Sequence, residues 1–440
     1  MVTAVDQRIE YLSSDEIREI QLNLLKRNLA FVKENSPFYK EKLKNINIEK
    51  IKELTDIRKF PFTTPEDLRK NPLSFLTIPL NETNYIFCSS GTTGIPKISF
   101  QEIPDEGIGR DEEFLDISEN DIGAIINRWG NPSTFTTKAR WENEGVKTIL
   151  ISMEADPKVV LKLLKELKVT LIKTVPSYIL YLTHTAKKLN MNLKRNFRVR
   201  YIITGGYPLT KNLRNYVESE WDAKIFDRYG CMEMGGNVAY ECKAHNGMHV
   251  HADRILFEVL DVNTGEPVKE GEVGEIVLTD LREKKKNNMS FIRYKVGDLI
   301  KFSTEKCKCG LTLPRIWVMG RRHESITVGI KGTRLFPNQI YEALDSFNEI
   351  TGDFQLVLET ENRLDILTFR VEVIKKEDLN NEDLKNKIKD KLENISPDLK
   401  DCISKRLLKL VVELVPPKSL PKTGARKPKD TIVDKGAFVR

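Results

Sequence analysis

Nine residues constrain this chain more than any others: Ser89-Ser90-Gly91-Thr92-Thr93-Gly94-Ile95-Pro96-Lys97, directly after the apolar run Tyr85-Ile86-Phe87-Cys88. The glycines admit positive φ and close backbone approach, the Ser and Thr hydroxyls add donors, and Lys97 adds a point charge. A strand that runs into such a turn suits a polyphosphate, and a nucleoside triphosphate is the natural guest. The spacing is not that of the Walker loop, which needs four residues between its glycines and then Lys-Ser/Thr. An ordinary hydroxyl-rich turn uses the same residue types, so the rest of the chain has to decide.

With 440 residues, 40% of them hydrophobic and 31% charged, the chain has the material for two or three domains and a sizeable core. No apolar stretch approaches the ~20 residues of a membrane span, and the first thirty residues are charged and amphipathic. Six cysteines in so long a chain do not make a disulfide framework, so reduced thiols and a cytoplasmic location are expected. The formal charge of +7 is modest, and basic residues are mixed with acidic ones except in the lysine-rich end, which argues against a nucleic-acid partner.

Apolar spacing predicts a helix within Ser14 to Lys44, followed by a Pro-punctuated stretch from Pro61 to Pro79. Strands are then expected at Ile122–Ile126, Val146–Ile151, Leu171–Val175 and Tyr201–Thr204, alternating with helices at Pro157–Leu167, Ser177–Leu189 and Lys211–Trp221. That alternation argues for an α/β sheet with parallel components. After Tyr229 short strands take over, at Ile255–Asp261, Gly274–Leu278 and Phe291–Tyr294. A second, smaller α/β unit is expected from Gly320, with strand Ser325–Val328, helix Pro337–Leu344, strands near Phe354–Glu359 and Leu364–Val373, helix Glu382–Ile395 and strand Leu408–Leu414.

Further segments follow the phosphate loop in order: Thr174-Val175-Pro176-Ser177-Tyr178, Gly205-Gly206-Tyr207-Pro208, Asp227-Arg228-Tyr229-Gly230-Cys231-Met232-Glu233, Arg293-Tyr294-Lys295-Val296-Gly297-Asp298, Gly320-Arg321, Phe336-Pro337-Asn338-Gln339-Ile340 and a lysine-rich end from Pro421 to Asp434. The series resembles the adenylate-forming superfamily of acyl ligases, its phenylacetate-CoA ligase branch above all. The resemblance implies a large N-terminal domain of α/β sheet layers at 1–319, with a β-rich subdomain at about 240–318, and a small mobile C-terminal α/β domain at 320–440.

It also implies an ATP-dependent, AMP-forming reaction that joins a carboxylic acid, aryl or arylacetic in the closest branch, to AMP and then to coenzyme A. Ser89, Ser90, Gly91, Thr92, Thr93, Gly94 and Lys97 would hold the phosphates, and Glu233 would hold magnesium, a hard cation that wants carboxylate oxygen. Tyr229 would lie against adenine, with Gly206, Tyr207 and Pro208 as the opposite wall and Asp227 and Gly230 in the same motif. Asp298 would accept both ribose hydroxyls, and Arg321 would reach ribose or phosphate with its planar fork. Lys427 would bridge carboxylate and α-phosphate, with Lys422 and Lys429 as competitors for that place.

Three departures stand out. Met232 occupies the place of a Thr or Ser, which removes a hydroxyl donor from the α-phosphate. His323-Glu324 replaces a pair of aspartates at the hinge. Gly130-Asn131-Pro132-Ser133-Thr134-Phe135 replaces a glycine-rich run that helps shape the acyl pocket in relatives. They keep two alternatives open: an adenylating enzyme whose acceptor is a coenzyme hydroxyl, an amine or a carrier protein, and an ATP-binding interaction protein that has lost catalysis.

Cys242, His249, Cys307 and Cys309 form a separate set, able to satisfy a structural tetrahedral zinc, with His245 or His251 as substitutes for His249. The expected partners are the acid, ATP and coenzyme A, with a second copy of the chain admitted and no membrane.

Overall fold

The structure, a computed structural model, describes residues 9–88, 96–101, 115–207, 209–282, 288–321, 326–328, 333–361, 364–420, 422–423, 427–428 and 432–434. By contacts the chain divides into two compact units, residues 1–209 with 215–318 and residues 319–440 with 210–214.

In the first unit a five-stranded, wholly parallel sheet runs in the order Lys147–Ser152, Ile122–Asn127, Leu171–Lys173, Tyr201–Ile203, Lys224–Phe226. Each crossover helix starts on a readable signal. Asp156 caps Pro157–Glu166 through its side chain, and Asn131 does the same for Pro132–Asn143, each with proline in the first turn. Trp141, fully buried, packs from the latter helix under the sheet with Ile125, Leu171, Ile203 and Phe226.

A second sheet of seven strands runs Ile255–Leu260, Gly274–Asp280, Tyr294–Ser303, Arg315–Arg321, Met248–Val250, Gly236–Glu241, Arg228–Cys231. Its core merges with the N-terminal helices, since Leu25, Leu29, Val32 and Tyr39 share one apolar cluster with Val238, Ile276, Phe291 and Tyr294. The expected helix across 14–44 is two helices, Ser14–Asn35 and Pro37–Lys42, because Ser36 before a proline is held extended at φ −96° and ψ 119°. The first opens on a capping box between Ser13 and Glu16.

Phe291–Tyr294 is not a strand as the sequence predicts. Arg293 takes a left-handed φ of 47°, and the strand begins only at Tyr294. Within it the ladder passes from Val277↔Lys295 to Glu275↔Leu299, so Val296, Gly297 and Asp298 form a bulge, with Gly297 at φ 84°.

The second unit carries a four-stranded sheet in the order Leu408–Val415, Leu364–Val373, Ile350–Glu361, Ile432–Asp434, whose central pair is antiparallel and outer pairs parallel. The helices Pro337–Leu344, Glu382–Glu393 and Pro397–Ser404 cover it around Leu356, Phe369, Ile388 and Leu399. Lys427 lies in a two-residue ribbon, Lys427–Pro428, paired antiparallel with Lys422–Thr423.

Candidate active site

The strands Tyr85–Cys88 and Ile98–Gln101 pair antiparallel as a hairpin, with Cys88 opposite Ile98. Ser89, Ser90, Gly91, Thr92, Thr93, Gly94 and Ile95 lie outside the described residues, as do Pro208, His323, Glu324 and Lys429. The hairpin's return delivers Lys97 to the buried carboxylate of Glu233, and the two form an ion pair.

Glu233 sits in the single turn Met232–Met234 between two strands of the seven-stranded sheet, closed by Gly235 at φ 75°. Its Oε1 also accepts the Tyr294 hydroxyl at 2.6 Å, and its Oε2 accepts the Cys231 thiol at 3.0 Å. Burial alone would raise this carboxyl, but the Lys97 ammonium and the donors around it hold it below its ordinary value, so it is ionised. The same carboxylate, with burial acting first, pushes the Tyr294 hydroxyl and the Cys231 thiol up, so both stay protonated and serve as donors. An ionised, oxygen-donating side chain in this setting fits a hard divalent cation.

Asp298 faces the same region. Its charge acts on the Cys231 thiol, and its Oδ2 accepts the Tyr229 hydroxyl at 2.7 Å. The bulge at Val296 to Asp298 sets where this carboxylate stands relative to Tyr294. Tyr229 and Asp298, both buried, are therefore bonded to each other, an arrangement their separate sequence roles do not contain.

A third cluster crowns the carboxyl ends of the parallel strands. Thr204 donates to Asp227 Oδ1 at 2.8 Å, Lys173 Nζ donates to the Thr204 carbonyl at 3.2 Å, and the Asp227 amide donates to Glu241 Oε2 at 3.0 Å. Burial, with the neighbouring Glu241 charge, pushes Asp227 up to about 6. Gly205 has to be glycine, because a Cβ there would stand 2.8 Å from the Arg228 carbonyl oxygen. Gly206, at φ 77°, faces open space, as a wall with little side-chain obstruction should. Gly230 lets its strand approach Gly236, whose carbonyl oxygen would be 2.9 Å from an added Cβ. Arg321 ends its strand exposed.

The structure thus brings Lys97, Glu233, Tyr229 and Asp298 together in the first unit. Sequence reasoning gave no role to Tyr294 or Cys231, whose contacts with Glu233 depend on sheet register over 61 residues for the former and on a one-turn reversal for the latter. Gln101 was missed as well; its amide donates to the Met232 carbonyl and, at 2.9 Å, to the Ser99 hydroxyl.

Cys242, His249, Cys307 and Cys309 form a second centre, with all four ligand atoms within 4.8 Å of one another. A tetrahedral zinc with Zn–S of about 2.3 Å and Zn–N of about 2.0 Å sets two sulfurs about 3.8 Å apart and sulfur and nitrogen about 3.5 Å apart. Here Cys242 and Cys307 Sγ are 3.8 Å apart, and Cys309 Sγ lies 3.4 Å from His249 Nε2. His249 Nδ1 must carry the proton, since it donates to the Leu313 carbonyl at 3.0 Å, which leaves the Nε2 lone pair facing the sulfurs. Burial keeps the ring neutral, pushing it down to about 4. Neither substitute joins the set: His245 Nδ1 is 3.4 Å from Glu241 Oε2, and His251 Nε2 is 3.3 Å from Asn237 Nδ2.

The family model for AMP-binding enzyme matches residues 143–280, and that for AMP-binding enzyme C-terminal domain matches residues 332–435, together more than half of the chain. The chain belongs to the AMP-binding enzymes. Among its relatives in this family, a phenylacetate-coenzyme A ligase of Thermus thermophilus is 28% identical over 446 residues, covering 95% of this chain and 97% of the relative. The phenylacetate-coenzyme A ligase of Escherichia coli K12 is 27% identical over 384 residues, 83% of this chain and 84% of that one. A crystal structure of 2-hydroxyisobutyryl-CoA ligase, in the postadenylation state in complex with R3-HIB-AMP, has the same fold, with a TM-score of 0.82 over 99% of this chain and 94% of that one at 21% identity.

Proposed function

We propose that this AMP-binding enzyme is an ATP-dependent, AMP-forming ligase that activates a carboxylic acid as its acyl-adenylate and passes the acyl group to coenzyme A. One observation carries the reading: a lysine from the end of the phosphate hairpin and an ionised, buried glutamate meet beside a second buried carboxylate, in a chain of this family. In the first half-reaction a carboxylate oxygen of the acid attacks the α-phosphorus of ATP, and pyrophosphate leaves. In the second, the thiol of coenzyme A loses its proton and attacks the acyl carbon, and AMP leaves.

The obstacle in the first step is negative charge on both nucleophile and phosphate. Lys97, with the hydroxyls and amides from Ser89 to Gly94, offsets charge on the polyphosphate, and Glu233 holds magnesium, which when bound neutralises phosphate oxygens. Asp298, steadied by the Tyr229 hydroxyl, accepts the ribose hydroxyls, while the Tyr229 ring and Gly206-Tyr207 flank adenine near Asp227. Lys427 joins carboxylate to α-phosphate, and Arg321 reaches ribose or phosphate.

The Cys242, His249, Cys307 and Cys309 set holds zinc in a structural role, with four protein ligands and no open position. Three reduced thiols in the set suit a cytoplasmic enzyme, and among the described residues no helix is long and apolar enough to cross a membrane. Because the Thermus thermophilus and Escherichia coli relatives are phenylacetate-coenzyme A ligases, aryl and arylacetic acids head the substrate panel.

The test is a pyrophosphate-release screen over carboxylic acids, with and without coenzyme A. Acid-dependent release, with AMP and an acyl thioester formed when coenzyme A is present, is expected. Release that never consumes coenzyme A would point to another acceptor, and no acid-dependent release would end the reading.

A further inference from the structure

The Tyr294 hydroxyl donates to Glu233 Oε1 at 2.6 Å and stands 3.5 Å from Lys97 Nζ, and the tyrosine is fully buried. Phe291 packs edge-on against its ring at a centroid distance of 5.0 Å. The backbone that delivers this ring is anchored on every side. Arg293, in the left-handed conformation, sends Nε and Nη2 to the two oxygens of Glu258, each at 2.9 Å. Its Nη1 donates to the carbonyls of Arg58 at 3.0 Å and Phe60 at 2.7 Å, and its guanidinium lies 4.1 Å over the Phe62 ring.

Thr63 then pairs with the chain on both sides of Tyr294: its amide donates to the Arg293 carbonyl at 3.0 Å, and its carbonyl accepts the Lys295 amide at 2.9 Å. The Tyr39 hydroxyl accepts the Ile292 amide at 2.8 Å. A non-glycine residue at positive φ persists only where its surroundings over-determine it, and here the surroundings include Arg58 and Phe60, 235 and 233 residues away in sequence.

We propose that Tyr294 is a positioning residue for the metal-binding carboxylate, fixing the orientation of Glu233, and that the Arg293 clamp to residues 58–63 sets Tyr294. This rests on the ligase reading, in which Glu233 holds magnesium. When the polyphosphate draws Lys97 to itself, the tyrosine hydroxyl remains on Oε1, so the carboxylate meets the ion already oriented. Without it a buried carboxylate regains rotamer freedom, and metal affinity falls while the nucleotide's own contacts stay.

The experiment compares wild type, Tyr294→Phe and Arg293→Lys in two readouts: the magnesium dependence of acid-driven pyrophosphate release, and binding of Mn2+ in the presence of ATP followed by electron paramagnetic resonance. ATP affinity in EDTA serves as the control. Tyr294→Phe is expected to raise the metal concentration for half-saturation about tenfold in both readouts, with ATP affinity in EDTA unchanged. Arg293→Lys keeps the charge but loses the fork, and is expected to move the same way.

Metal dependence equal to wild type in Tyr294→Phe overturns the proposal, as does an equal loss of ATP affinity in EDTA, which marks general damage. Should Arg293→Lys fail to fold, Tyr294→Phe alone decides. Should wild type release no pyrophosphate with any acid, the ligase reading falls, and Mn2+ binding still decides the role of Tyr294.

Discussion

At the scale of single residues, the Lys97–Glu233 pair makes a sharp statement about stability as well as chemistry. Glu233 is 4% exposed and Lys97 17%, so removing the lysine strands a buried charge. Lys97→Met should cost about 3 kcal/mol, read by denaturant unfolding, and abolish acid-dependent pyrophosphate release. Adding Glu233→Gln should restore most of the stability and none of the activity; a double variant as unstable as the single would mean the two side chains do not depend on each other. Asp227 gives a prediction in pH. Its folded value, about 6, lies above the ordinary 3.8, so the folded protein binds that proton more tightly than the unfolded chain does. Its contribution is fully present below about 3.8 and lost as pH rises through about 6. Asp227→Asn should therefore gain melting temperature on wild type as pH goes from about 4.5 to 7. A gap that stays constant over that range would show that Asp227 does not titrate there.

At the scale of elements, the cysteine and histidine set ties the strands Gly236–Glu241 and Met248–Val250 to the segment before Arg315–Arg321, and its apolar surround takes in Ile9 and Ile17 of the N-terminal helices. A chelator that strips zinc should lower the melting temperature by on the order of 5 °C and leave ATP affinity intact; an unchanged melting curve would discredit the centre. Four of the five parallel strands were legible to within two residues, because each is a short apolar run followed by a helix, whereas Lys224–Phe226, a three-residue strand that runs on to Arg228–Cys231, was not expected. The antiparallel sheet was less legible. Phe291 and Ile292 are apolar enough to read as a strand, yet they serve the core as a knot ahead of a left-handed Arg293, which no period reveals. The helix Pro132–Asn143 was hidden behind its threonines, although Asn131-Pro132 is a start signal. Resemblance to the family's motifs was enough to single out Lys97, Glu233, Tyr229 and Asp298. The hydroxyl of Tyr294 and the thiol of Cys231 were beyond it, because register and a one-turn reversal, not residue type, place them on the carboxylate.

At the scale of the whole molecule, the chain folds as two units with separate apolar cores, one around Leu25, Val238 and Phe291, the other around Leu356, Phe369 and Ile388. Lys97, Glu233, Tyr294, Tyr229 and Asp298 all belong to the first, while Lys427 belongs to the second. Binding of ATP and the chemistry of ATP are therefore expected to separate by unit. In the proposed reaction Lys427 acts on charge developing in the transition state, so Lys427→Ala should cut acid-dependent pyrophosphate release by about a hundredfold or more. ATP affinity, measured by calorimetry, should stay near wild type, because the groups proposed to hold the nucleotide, Arg321 excepted, lie in the other unit. Wild-type release in this variant would move the role to Lys422 or Lys429. Parallel loss of ATP affinity and rate would instead make the lysine a ground-state ligand, and the division of labour between the two units would have to be given up.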